Sequence, residues 1–186
     1  VKDLYEEKKD PQIIDIYIDN FYFKELLSIA EESEVDLFID YAKNLIDFTN
    51  VRTLLRAKKQ EKDVEFFRHV IVPGGNIKES IYLDLLNKDI SSDTEIFKRL
   101  GIYKYIKDAL DDFKDKGNLS NFEKEMDNYF IDLIKDVKYI TYGPEVIFAN
   151  ALAKEMEIKN LRIILVSKLN GLSSEFIREK LRDSYV

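Results

Sequence analysis

Nucleophilic catalysis by serine or cysteine needs a base beside the nucleophile. This 186-residue chain offers one imidazole, His69, set among Phe67, Val70 and Ile71, and no cysteine. A lone histidine at the end of a helical pattern is more often structural than catalytic, and the same want of ligands argues against a zinc site. Pro73-Gly74-Gly75-Asn76 is glycine-rich but lacks the lysine and following helix of a phosphate loop, so it reads as a turn. The acid pairs Glu6-Glu7, Glu31-Glu32 and Asp111-Asp112 are the types that hold Mg²⁺ or exchange protons in a metal-dependent hydrolase. Adjacent acids on a helix point in different directions, however, and with Lys8-Lys9 following Glu6-Glu7 they read as solvated surface. The 11 tyrosines and 12 phenylalanines have faces for stacking on bases, but their helical spacing and the acidic charge favour core packing. No enzymatic activity and no cofactor are expected.

The elements that would position these residues are helices. Hydrophobic residues make up 45% of the chain and charged residues 35%, with 6 Gly and 3 Pro, which leaves little room for long loops or a turn-rich sandwich. Asp10-Pro11 opens a helix running to about Glu32, with a break expected near Asn20. From Val35 to Lys59, Leu37, Tyr41, Leu45, Phe48, Val51 and Leu55 recur at spacings of three and four, which lines one helix face. Shorter helices are expected over Lys62–Val70, Glu79–Leu86, Ser92–Leu100 and Ile102–Lys114, then Asn121 to about Val137. Ser92 with Glu95 and Ser120 with Glu123 form capping-box patterns. Gly143-Pro144-Glu145 opens a long helix that Asn170-Gly171 stops, and Ser173 caps the last one. The polar stretch from Lys114 to Ser120 places a boundary between residues 1–116 and 117–186.

Charge and hydropathy narrow the partners. A formal net charge of -7 disfavours nucleic acid and anionic lipid surfaces. The most continuous apolar stretch, Leu161–Val166, contains Arg162 and falls far short of the roughly 20 residues of a membrane span. Without cysteine a reducing, cytoplasmic compartment is the default expectation.

The chain also repeats itself. Asn50-Val51-Arg52 aligns with Asn160-Leu161-Arg162 at an offset of 110, carrying Leu55 onto Leu165, Lys58 onto Lys168, and Glu65-Phe66-Phe67-Arg68 onto Glu175-Phe176-Ile177-Arg178. Asp19-Asn20-Phe21-Tyr22 resembles Asp127-Asn128-Tyr129-Phe130 at an offset of 108. A three-helix unit is thus expected twice. Asn50 lies between Ile46 and Leu54, and Asn160 between Met156 and Ile164, so each is a polar group on an apolar stripe that needs hydrogen-bond partners. Repetition favours a structural role, since a catalytic constellation is usually needed once. The alternative is that these asparagines and the nearby Arg52 and Arg162 line a binding surface.

The same residues carry a family resemblance. The stretches DPQIIDIYIDNFYFKELL, IDFTNVRTLLRAKK, VPGG and GPEVIFANALAKEMEIKNLRIILVSKLNGLSSEFIREKLRDSYV resemble the C subunit of archaeal and bacterial V/A-type rotary ATPases, the counterpart of the d subunit of the eukaryotic vacuolar ATPase. The resemblance covers nearly the whole chain and is weakest from Asn76 to Lys116. It implies an all-α fold forming part of a pseudo-threefold funnel of three similar units, of which two are present. With no initiator Met before Val1, an N-terminal third is expected to be missing. It further implies a non-catalytic connector between the central-stalk subunits and the membrane proteolipid rotor ring, transmitting torque for ion transport from a cytoplasmic, membrane-peripheral position. Candidate interface positions are Arg52, Arg56, Lys58, Arg162 and Lys168, four of which the repeat places in matching registers. A helical scaffold of an unrelated complex and a hydrolase built on clustered acids are the competing readings.

Overall fold

In a computed structural model that describes residues 12–88, 95–98 and 100–185, the chain is built from helices, with no strand among those residues. It separates into two compact units, Val1–Leu100 and Gly101–Val186.

The first unit opens with α1 (Gln12–Glu32) and α2 (Asp36–Lys59). The expected start at Asp10-Pro11 lies outside the described residues. The break expected near Asn20 does not occur, because α1 is continuous through it. An asparagine inside a helix costs only about 0.7 kcal/mol, which the packing of α1 on α2 outweighs. That packing joins Phe23, Leu26 and Leu27 to Leu45, Ile46 and Val72. At 24 residues α2 is about 36 Å long. Lys62 N–H donates to the Ala57 carbonyl at 2.9 Å beyond its end, and Asp63 then caps α3 (Val64–Val70) by accepting from Phe66 N–H at 2.7 Å. The Pro73-Gly74-Gly75 turn leads to α4 (Glu79–Leu86), which packs on α2. Of the expected helix over Ser92–Leu100, Glu95–Lys98 (α5) is helical, and the Ser92 cap lies outside the described residues.

The second unit begins with a hairpin of α6 (Tyr103–Lys116) and α7 (Ser120–Ile134). Ile102, Ile106, Ala109 and Leu110 are buried with Phe122, Phe130, Ile131 and Ile134. The turn at Gly117, where the sequence suggested a boundary, therefore joins two packed helices, and the compact units divide at Leu100–Gly101. The capping box at Ser120 is not formed. The helix starts at Ser120 itself, and the Asn118 side chain accepts from Ser120 N–H at 2.8 Å, meeting the same need from two residues upstream. After Ile134 the helix tightens into a 3₁₀ turn, Lys135–Tyr139. Then α8 (Pro144–Leu169, 26 residues) starts with its proline in the first turn, where a missing N–H costs nothing. Gly171, at φ 69°, provides the left-handed stop, and Ser173 caps α9 (Ser174–Lys180) by accepting from Phe176 N–H at 3.2 Å.

Candidate interaction surface

The two asparagines singled out by the repeat hold equivalent structures. Asn50 Nδ2 donates to the Val72 carbonyl at 2.8 Å, and its Oδ1 accepts from Val72 N–H at 2.9 Å. Asn160 Nδ2 donates to the Arg182 carbonyl at 3.1 Å, and its Oδ1 accepts from Arg182 N–H at 2.9 Å. Each carboxamide thus clasps both polar groups of a residue just past the short helix, 22 positions on. Other details repeat in the same register. Lys62 N–H to Ala57 matches Leu172 N–H to Ser167 at 3.0 Å, and the caps Asp63 and Ser173 correspond. A carboxamide satisfied on both sides fixes the long helix against the returning chain.

Beside each clasp sits a buried acid, of which the sequence pattern marks only Asp127, through the repeated Asp-Asn pair. Asp47, within α2, accepts from Asn76 N–H at 2.9 Å, Ile77 N–H at 3.1 Å and the Tyr82 hydroxyl at 3.1 Å. Burial pushes the Asp47 carboxyl above its ordinary value of 3.8, and these hydrogen bonds hold back only part of the rise. The Tyr82 hydroxyl is pushed up by its own burial and by the adjacent carboxylate. Gly75 is what lets the turn come so close, since a Cβ there would collide with Asp47 Oδ1. In the second unit Asp127 accepts from Lys159 at 2.9 Å and from Arg182 Nε at 2.9 Å, while Asn128 accepts from Asp183 N–H at 2.9 Å. Arg182 stands where the repeat has Val72, so its backbone completes the clasp and its side chain adds an ion pair. On the α6–α7 face, Asp132 accepts from the Tyr105 hydroxyl at 2.6 Å and from Lys135. Partial burial works to raise the Asp132 carboxyl, but the Lys135 and Tyr105 hydrogen bonds prevail and hold it below 3.8.

The basic candidates divide. Lys58 faces inward and donates to the carbonyls of Leu85 (3.3 Å), Leu86 (2.7 Å) and Lys88 (2.5 Å), neutralising the C-terminal end of α4. Arg52 is half-buried and engaged within the protein. Arg56 is exposed beside a groove lined by Asp15, Asp19, Thr49, Thr53 and Gln60. Arg162 and Lys168, the counterparts of Arg52 and Lys58, are exposed on α8. They lie beside Ile158, Leu161, Leu165 and Leu169, large apolar side chains that are also exposed. His69 is exposed, with Nδ1 2.7 Å from the Glu65 carbonyl. Among the described residues no group of three or more His, Cys, Asp or Glu is placed to hold a metal ion, and no helix is long and apolar enough to cross a membrane.

The chain is 25% identical over 185 residues to the C subunit of the V-type sodium ATPase of Enterococcus hirae, covering 100% of this chain and 56% of that protein. It is 30% identical over 173 residues to the C subunit of the A-type ATP synthase of Thermoplasma volcanium (91% and 48%), and 25% identical over 182 residues to that of Methanocaldococcus jannaschii (94% and 45%). The chain spans about half the length of the curated relatives it matches. No solved structure matches it significantly. The family model described as ATP synthase (C/AC39) subunit matches residues 2–180, and the chain belongs to that family.

Proposed function

We propose that the chain is a non-catalytic connector of a V/A-type ATPase, joining central-stalk subunits to the membrane proteolipid rotor ring and transmitting torque for ion transport from a cytoplasmic, membrane-peripheral position. The observation that carries this reading is the family match over residues 2–180. The twice-used clasp supports it. A connector under torque must resist shear between its helices, and two long helices each pinned to the returning chain by a satisfied carboxamide supply that stiffness. Within this role Asn50 and Lys58 hold the first unit together and Asn160 the second, and Arg56, Arg162 and Lys168 present positive charge to partners. The test is retention of purified central-stalk proteins and detergent-solubilised rotor ring by the immobilised chain. Saturable retention of both, weakened by Arg162→Glu with Lys168→Glu, is expected, with no heat of binding for Mg-ATP in calorimetry. Failure to retain either partner, or saturable nucleotide binding, would overturn the reading.

A further inference from the structure

The internal repeat places one carboxylate in two settings. In the second unit Asp127 is buried and accepts from Lys159 Nζ and from Arg182 Nε, each at 2.9 Å, while Arg182 Nη1 donates to the Lys180 carbonyl at 2.9 Å. The guanidinium is thus held between a carboxylate on α7 and a carbonyl at the end of α9. At the repeat offsets of 108 and 110, Asp127 corresponds to Asp19 on α1 and Lys180 to Val70 at the end of α3, whereas the two cations, Lys159 and Arg182, correspond to Thr49 and Val72. Asp19, Thr49, Val70 and Val72 all line one groove of about 330 Å³ in the first unit. The acceptors are kept and their donors are gone. Asp19 is exposed, and among the described residues no group donates to its carboxylate or to the Val70 carbonyl. Two substitutions inside the unit make this difference, threonine in place of lysine and valine in place of arginine.

We propose that this groove receives an arginine side chain presented by a second protein, its guanidinium lying between Asp19 and the Val70 carbonyl as that of Arg182 lies between Asp127 and the Lys180 carbonyl. The lining fits such a side chain along its length. Ile16, Ala57 and Val72 offer apolar surface to the methylene stem. At the head, Asp15 adds a second carboxylate, and the hydroxyls of Thr49 and Thr53 add acceptors for the remaining N–H groups. A lysine fits less well, because one ammonium lacks the planar fork that spans a carboxylate and a carbonyl together. Arg56 also lines the groove, yet the two carboxylates outnumber it, and the chain as a whole carries a net charge of -7, so a basic partner is the complementary one. The inference rests on the repeat alone, and it stands or falls separately from the connector role.

The probe is N-acetyl-arginine methylamide, an arginine side chain on a peptide backbone, titrated at low ionic strength into the isotope-labelled whole chain and followed by its amide NMR shifts. Saturable shifts at Asp19, Thr49, Thr53 and Val72 are expected, with a millimolar dissociation constant, and none from the citrulline analogue, which has the same shape without the charge. Asp19→Asn should weaken binding by more than about fivefold, while Glu25→Gln, on α1 but outside the groove, leaves it unchanged. Both positions are exposed, so the variants should stay folded, and unaltered circular dichroism checks this. Absence of saturable shifts at these amides, equal binding of the citrulline analogue, or binding indifferent to Asp19→Asn would overturn the proposal. So would shifts that emerge only in a Lys8→Ala with Lys9→Ala variant, because the occupant would then be the chain's own lysines.

Discussion

Asn50 and Asn160 perform one task at two places. Each carboxamide donates to the carbonyl and accepts from the N–H of a single residue, Val72 or Arg182, lying 22 positions downstream. They differ in burial, Asn50 being enclosed and Asn160 partly solvated.

That difference sets the cost of removing them. Asn50→Leu strands the Val72 N–H and carbonyl away from water and is expected to lower stability by about 2–5 kcal/mol, whereas Asn160→Leu leaves Arg182 groups that water reaches and costs about 1–2 kcal/mol. Urea unfolding of the two variants checks both the size and the order. Equal losses would mean that burial does not set the cost of the clasp.

The two perturbed aspartates give opposite pH dependence. The native Asp132 carboxyl is held below 3.8, so the stability it contributes is fully present above that value and lost as pH falls through the lowered native value. Asp132→Asn should flatten the acid limb of a plot of melting temperature against pH. Asp47 is raised above 3.8, so its contribution is fully present below that value and lost as pH rises through the raised native value. Asp47→Asn should remove that decline. Melting scans from about pH 2.5 to 6 separate the cases, and the same slope change in both variants would contradict the assignment.

Gly75→Ala should destabilise the first unit by about 1–3 kcal/mol, because its Cβ would collide with Asp47 Oδ1 and the turn would have to retreat from the carboxylate. In the Asp47→Ala background the same substitution should cost much less. A double-mutant cycle in urea measures the coupling, and additive costs would show that the collision is relieved elsewhere.

Much of this was legible beforehand, for identifiable reasons. The long helices follow from apolar spacing and from the proline and glycine signals at Pro144 and Gly171, which are local. The clasping asparagines stood out because a polar residue interrupted the same apolar stripe twice. Asp47 did not, since its partners Asn76, Ile77 and Tyr82 lie 29 to 35 residues away and no local pattern joins them. Asp127 carried a usable signal in the repeated Asp-Asn pairs Asp19-Asn20 and Asp127-Asn128, although its ion pair with Arg182 has no equivalent at Val72. The capping pattern at Ser120 misled because Asn118 meets the same need first. Lys58 stands among the candidate interface bases with an internally paired role as the alternative, and its partners at the end of α4 lie 27 to 30 residues away, where no local pattern joins them.

The central claim is that one clasp organises both units, and amide hydrogen exchange at Val72 and Arg182 tests it most directly. Neither residue lies in a helix, yet each N–H is held at 2.9 Å by an asparagine oxygen. Both amides should therefore exchange much more slowly than unstructured peptide, with Val72 the slower, and each should lose its protection when its own asparagine becomes alanine but not when the other does. Exchange of either amide at the unprotected rate in the unmodified protein would contradict the account.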